Sequence, residues 1–109
     1  MLVSLDPAVG SEQNKTRPAV IVSSNAANNS AERRGRGVVT VVPLTTNLRN
    51  IYPFQVLLRG EHTGLAVDCK AQAEQVRSIA SERIVRQLGH VDGIRMRELD
   101  DALRLHLSL

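Results

Sequence analysis

The sequence predicts a small, mainly β domain: a strongly bent antiparallel sheet or partly open barrel, with helix packed to one side. Three observations carry this. Short β-branched runs recur along the first eighty residues, bounded by Pro, Gly, Ser and Asn. Only the last stretch has a clear helical period. The 109 residues, 42% apolar and 23% charged, suit one globular domain over residues 1–109.

The elements follow in order. Asp6-Pro7-Ala8-Val9-Gly10-Ser11 reads as a turn, and the polar loop Glu12-Gln13-Asn14-Lys15-Thr16-Arg17 follows it. Pro18 opens the apolar run Ala19-Val20-Ile21-Val22, a buried strand, since Pro is tolerated at a first strand position. Residues 23–37 read as the longest irregular segment, small and polar first, then basic with Arg33, Arg34 and Arg36. Val38-Val39-Thr40-Val41-Val42 is the clearest strand, with Pro43 expected to end it and Thr45-Thr46-Asn47 to turn. A strand is expected over residues 54–59, then a turn over 60–64. Residues 65–69 could pair with that strand, and residues 75–79 alternate as a half-buried strand does. Ser81 and Glu82 start a short predicted helix through Leu88. Asp92 is a good N-cap for the final helix, with Met96, Leu99, Leu103 and Leu107 on one face and charged residues on the other.

Several chemistries are weakened at once. Cys69 is the only cysteine, so an internal disulfide is impossible, and it reads as a buried structural thiol. His62, His90 and His106 are widely spaced, without metal-ligand or triad patterns, so no metal or cofactor is expected. No apolar run approaches the roughly 20 residues of a membrane span. No signal peptide is visible, and the expectation is a cytoplasmic protein with no membrane association. Tyr52 and Phe54 are the only aromatics, which disfavours a base-stacking platform.

The net charge of +3 is unevenly placed. Residues 1–37 carry five basic and three acidic side chains, whereas residues 81–109 carry five of each. An anion-binding face is therefore expected in the first two-thirds of the chain. There, Arg17 stands where a loop enters a strand, and Thr45 and Thr46 stand where one exits. Gln75 and Arg77, two apart on a predicted strand, should share a face. A guanidinium offers a fixed fork of donors that suits phosphate, and a threonine hydroxyl can donate to a phosphate oxygen. The plain alternative for each is a solvated surface residue.

At these residues the sequence closely resembles the MazF/PemK family, the toxins of bacterial type II toxin–antitoxin modules. The resemblance runs from Asp6 through Gly10-Ser11-Glu12-Gln13 to Arg17-Pro18. It continues through Val41-Val42-Pro43-Leu44-Thr45-Thr46-Asn47 and Ala73-Glu74-Gln75-Val76-Arg77-Ser78-Ile79 to Glu98-Leu99-Asp100-Asp101-Ala102-Leu103. It implies an SH3-like (CcdB/MazF-type) small β-barrel with a C-terminal helix, assembled as a homodimer. It implies a metal-independent, sequence-specific endoribonuclease acting on single-stranded RNA, restrained by a cognate MazE-type antitoxin. The family's catalytic arginine falls on Arg17. Its threonine falls best on Thr45, with Thr46 beside it. Glu12, Gln13, Asn14, Lys15, Thr46, Gln75 and Arg77 become the RNA-binding candidates, and Glu12 is a candidate general base by charge and loop position. The segment at residues 23–37 is either an RNA cover or a solvated basic loop.

Family members generally begin with an arginine-glycine-acidic-aliphatic-aromatic stretch. Here Met1-Leu2-Val3-Ser4-Leu5 reaches Asp6-Pro7 almost at once, so part of the first strand is expected to be missing. A catalytically inactive RNA- or antitoxin-binding homologue is thus one alternative. A CcdB-like DNA gyrase inhibitor is another; such proteins depend on a Trp-bearing C-terminal end, and this chain has no Trp.

Overall fold

The computed structural model describes residues 1–5 and 16–109. The described residues form β1 (Leu2–Leu5), β2 (Arg17–Ile21), α1 (Asn25–Arg34), β3 (Val38–Thr45), β4 (Gln55–Leu58), α2 (Gly60–Thr63), β5 (Cys69–Gln72), β6 (Arg77–Ala80), β7 (Ile84–Gly89) and α3 (Gly93–Leu107). The strands make one antiparallel sheet in the order β4-β5-β3-β2-β1-β7, and β6 lies along β3. This is the bent sheet with a C-terminal helix that the sequence predicts. The sheet is not closed: its ends, β4 and β7, share no ladder among the described residues.

β3 is the hinge of the architecture. Val38 to Val41 pair with β6, while Leu44 and Thr45 pair with β5. Pro43 does not end the strand as expected; it stays in β3 opposite Ala19 of β2. It stands where β3 changes partner on its other side, a place where a strand tolerates a missing N–H donor. β1 is only four residues long, yet β2 and β7 flank it on both edges.

Alternation sends side chains to two faces. Leu2, Val20, Val42, Leu44, Val56 and Leu58 point inward and pack with Leu99 and Ala102 of α3. Val3, Leu5, Ala19, Ile21, Val39, Val41 and Ile79 form a second apolar layer on the outer face. Neither layer contains an aromatic ring. Tyr52 and Phe54 instead stack on each other, with centroids 5.4 Å apart.

Four other expectations are corrected. Residues 25–34 are helical, not irregular: Ser24 accepts the Ala27 N–H at 3.2 Å as N-cap, and Gly35 takes the left-handed conformation (φ 66) at the C-terminal end. Arg33 and Arg34 fall in the last turn, where the helix dipole favours cations. The predicted helix over residues 81–88 is a single 3-10 turn followed by β7, because Ile84, Arg86, Gln87 and Gly89 pair along the free edge of β1. β5 starts at Cys69 rather than Leu65, and the preceding turn contains α2. Leu107 is exposed, so the buried stripe of α3 centres on Leu99 and Ala102. Asp92 caps that helix as expected, accepting the Arg95 N–H at 2.7 Å. No helix among the described residues is long and apolar enough to cross a membrane.

Candidate active site

The site candidates are placed by strand register. Arg17 opens β2 and Thr45 closes β3. The two strands pair Ala19 with Pro43, Val20 with Val42 and Ile21 with Val41. Continued by two residues, that antiparallel register sets Arg17 against Thr45. Arg17 shares the parity of Ala19 and Ile21, and Thr45 that of Val39 and Val41. Both therefore stand on the outer face of the sheet.

Arg17 is exposed, and among the described residues it takes part in no ion pair. Thr45 is half-buried, and its hydroxyl oxygen accepts the Asn47 N–H at 3.2 Å. That bond uses one lone pair and leaves the O–H free to donate. Asn47 accepts in turn from the Arg49 N–H at 3.1 Å, so the chain leaving β3 is held by two successive side-chain turns.

Thr46 separates from Thr45. It is exposed and lines a cleft of about 380 Å³ with Thr16, Pro18, Ser4, Arg86 and Leu88. This places Thr45, rather than Thr46, on the face that Arg17 shares.

Arg77 opens β6 opposite Val41, which puts it on the same outer face as Arg17 and Thr45. Val41 and Thr45 are four residues apart on one strand, a span of roughly 13 Å. Arg77 is therefore separated from Thr45 by about that distance along the sheet. Gln75 is not on that strand. It ends the 3-10 turn Ala73–Gln75, so the expectation that it shares a strand face with Arg77 is corrected. Its neighbour Glu74 accepts from the Gln55 amide at 2.8 and 3.1 Å, which ties this turn to β4. Glu12, Gln13, Asn14 and Lys15 lie outside the described residues. Arg33, Arg34 and Arg36 follow the Ile21 end of β2, roughly 13 Å along the strand from Arg17.

Three side chains absent from the sequence-based candidates enter here. Arg86 and Ser4, paired across β7 and β1, meet Thr46 at the cleft. Lys70 stands opposite Thr45 on β5. A lysine inside a short apolar stretch reads locally as a surface charge, and nothing in the sequence indicates that it would be buried with its ammonium on the Asn50 carbonyl.

The remaining titratable groups do not form a second constellation. Cys69 is buried, and burial, aided by the Asp68 charge, pushes its thiol above the ordinary range. It is an inert structural thiol. His62 pairs with Glu61 at 3.4 Å and His90 contacts Gln87 at 3.0 Å, both at the surface. Among the described residues no group of three or more His, Cys, Asp or Glu side chains is arranged to hold a metal ion.

Comparison with known proteins settles the family. The model of the PemK-like, MazF-like toxins of type II toxin–antitoxin systems matches residues 1–107. The chain belongs to the PemK/MazF toxin family. It is 61% identical over 107 residues to Endoribonuclease MazF9 of Mycobacterium tuberculosis, covering 98% of this chain and 91% of that protein. The fold matches Mycobacterium tuberculosis toxin MazF-mt6 with a TM-score of 0.78 at 20% identity, covering 99% of this chain and 96% of that one. An endoribonuclease from a mycobacterial species, solved in complex with its cognate antitoxin, matches with a TM-score of 0.77 at 27% identity, over 99% and 91% of the two chains. The bent seven-stranded sheet is thus the SH3-like barrel of the MazF toxins, left open between β4 and β7.

Proposed function

We propose that this chain is a toxin that cleaves single-stranded RNA at specific sequences without a metal ion. The observation that carries the reading is the placement of Arg17 and Thr45 on one face, at facing ends of β2 and β3. The nucleophile is the RNA's own 2′-hydroxyl. It loses its proton and attacks phosphorus, the phosphorus–O5′ bond breaks, and the 5′-oxygen takes up a proton. The products are a 2′,3′-cyclic phosphate and a 5′-hydroxyl. Arg17 holds the scissile phosphate and stabilises the charge that builds on it. It is a poor base, because its pKa exceeds about 12. The free Thr45 O–H donates to the same phosphate. Glu12 is the candidate proton acceptor, and Gln13, Asn14, Lys15, Thr46, Gln75 and Arg77 are candidate contacts to the bases and phosphates on either side.

The chain's relatives also suggest its partners. We read it as a homodimer in the cytoplasm, held inactive by a MazE-type antitoxin. A free cysteine suits a reducing compartment, and exposed Val38 and Val85 are apolar surface a second subunit could cover.

The deciding experiment incubates the purified protein with a long RNA in excess EDTA and maps the new ends. Cuts at one short sequence, with 5′-hydroxyl and cyclic phosphate ends, are expected, and a strand with 2′-deoxy at the cut should resist. No cuts together with gyrase inhibition would replace this reading with a CcdB-like one. Neither activity would leave an inactive binding homologue.

A further inference from the structure

Lys70 is the one charged side chain that is buried among the described residues, with 7% of its surface exposed. It stands on β5 with Thr45 as its partner on β3 and Leu57 as its partner on β4. Directly opposed residues of antiparallel strands lie about 4.5–5.5 Å apart at Cα and point to the same face. Lys70 thus shares the outer face with Thr45. Its ammonium donates to the Asn50 carbonyl at 2.6 Å. No carboxylate among the described residues forms an ion pair with it.

Among the described residues this buried ammonium has one hydrogen-bond acceptor and no ion-pair partner. An ammonium carries three N–H donors, and one carbonyl satisfies one of them. Burying a charge is unfavourable unless it is paired, so lysine is seldom kept inside without a purpose that offsets the cost. An anion arriving at the end of β3 would supply a counter-charge that none of the described residues supplies. The same ammonium also fixes the segment at residues 46–54, which starts immediately after Thr45 and carries Asn50.

We propose that Lys70 is a positioning residue for RNA: it holds the Asn50 carbonyl, and its charge, which no described carboxylate pairs, draws an RNA phosphate to Thr45. This rests on the RNA-cleavage reading and adds to it a second cation beside the Arg17–Thr45 pair. The role belongs to binding more than to the chemical step, because Lys70 reaches the site through the segment it anchors.

The test compares the wild type with Lys70→Met, which keeps the stem, Lys70→Gln, which keeps a donor without charge, and Lys70→Arg. Affinity for a single-stranded oligonucleotide with a 2′-deoxy cut site, which cannot be cleaved, is measured across a salt series, and cleavage of the all-ribose version gives kcat and KM. Lys70→Met and Lys70→Gln should raise KM roughly tenfold with kcat within about threefold. They should also make the slope of log affinity against log salt shallower by roughly 0.7, the value for one phosphate on a single strand. Lys70→Arg should keep the wild-type slope. A wild-type slope and KM in the neutral variants, even with a lower melting temperature, would reduce Lys70 to a structural residue and overturn the proposal. If the wild type does not cut RNA, the cleavage reading fails separately, and the salt series still decides Lys70. Either neutral variant, if it folds, is sufficient.

Discussion

Arg17 and Thr45 come from opposite ends of their strands in sequence direction, yet the register that pairs Ala19 with Pro43 brings them to one level and one face. In the proposed reaction, two short strands thus present a guanidinium fork and a hydroxyl donor to a single phosphate. Placed donors of this kind are worth about a hundred- to a thousandfold each in rate when they meet developing charge.

Arg17→Ala should therefore lower kcat for RNA cleavage by at least about a hundredfold while the far-ultraviolet spectrum stays unchanged. Arg17→Lys keeps the charge and loses the fork, so it should recover only part of the rate. Both rates come from single-turnover cleavage of a labelled oligonucleotide. Wild-type rates in a folded Arg17→Ala variant would remove Arg17 from the chemistry.

The two neighbouring threonines provide a sharper comparison. Thr45→Val removes the O–H on the Arg17 face and should cost roughly tenfold or more in kcat, whereas Thr45→Ser should keep most of it. Thr46→Val alters the cleft lined by Thr16, Ser4 and Arg86, so it should change the preferred cleavage sequence more than the maximal rate. Sequencing the cut ends from a mixed RNA pool reads both effects. The reverse pattern would assign the catalytic hydroxyl to Thr46.

α1 depends on its cap. Its composition is poor in apolar residues, and its first turn holds no acidic side chain, so Ser24 contributes much of what starts the helix. Ser24→Ala should cost about 1 kcal/mol of folding stability, read as a lower urea midpoint with an unchanged slope. Its effect on cleavage should be small, since α1 follows the end of β2 away from Arg17.

Much of the fold, and the strand-end positions of Arg17 and Thr45, were legible because the signals are local. Asp92 announced α3, the β-branched runs announced β2 and β3, and the Arg17-Pro18 and Thr45-Thr46-Asn47 motifs carried their own context. The misreadings share a different cause. Residues 84–89 became a strand because β1 had an open edge, and no local propensity records a distant edge. Residues 25–34 became a helix through Ser24 and Gly35, while Ser- and Asn-rich composition reads as loop. Pro43 sits inside β3 because the strand exchanges β6 for β5 there, which only the assembled sheet shows. Lys70 illustrates the same limit at the site: it is buried, and its ammonium meets the Asn50 carbonyl twenty residues away in sequence.

Gly89 offers a stringent test of the close approach between β7 and α2, beside the opening between β4 and β7. A Cβ placed there would lie 2.1 Å from the Thr63 carbonyl oxygen and 3.3 Å from its carbon. The obstacle is backbone, which cannot step aside as a flexible side chain can. Gly89→Ala should thus push β7 and α2 apart and cost about 1–3 kcal/mol, the range for overpacking. Gly93→Ala, where nothing lies within 4 Å, is the control and should leave the urea midpoint nearly unchanged. Equal midpoints for the two variants would show that the seam is loose in solution.

Cys69 makes a prediction about pH. Burial, and secondarily the Asp68 charge, raises its thiol pKa in the folded protein above the ordinary thiol value of about 9.0. As pH rises past that ordinary value, the unfolded thiol ionises while the folded one stays protonated. The unfolded state then binds fewer protons, so stability must fall with pH. The contribution is complete below about pH 9 and disappears as pH climbs through the folded pKa. Urea midpoints at pH 8 and pH 10 should therefore separate further for the wild type than for Cys69→Ala, in which this titration is absent. The same burial should make iodoacetamide labelling slow in the native protein and fast in urea. Rapid labelling of the folded protein would mean that the inner layer around Leu58 and Ala71 opens far more often than its packing implies.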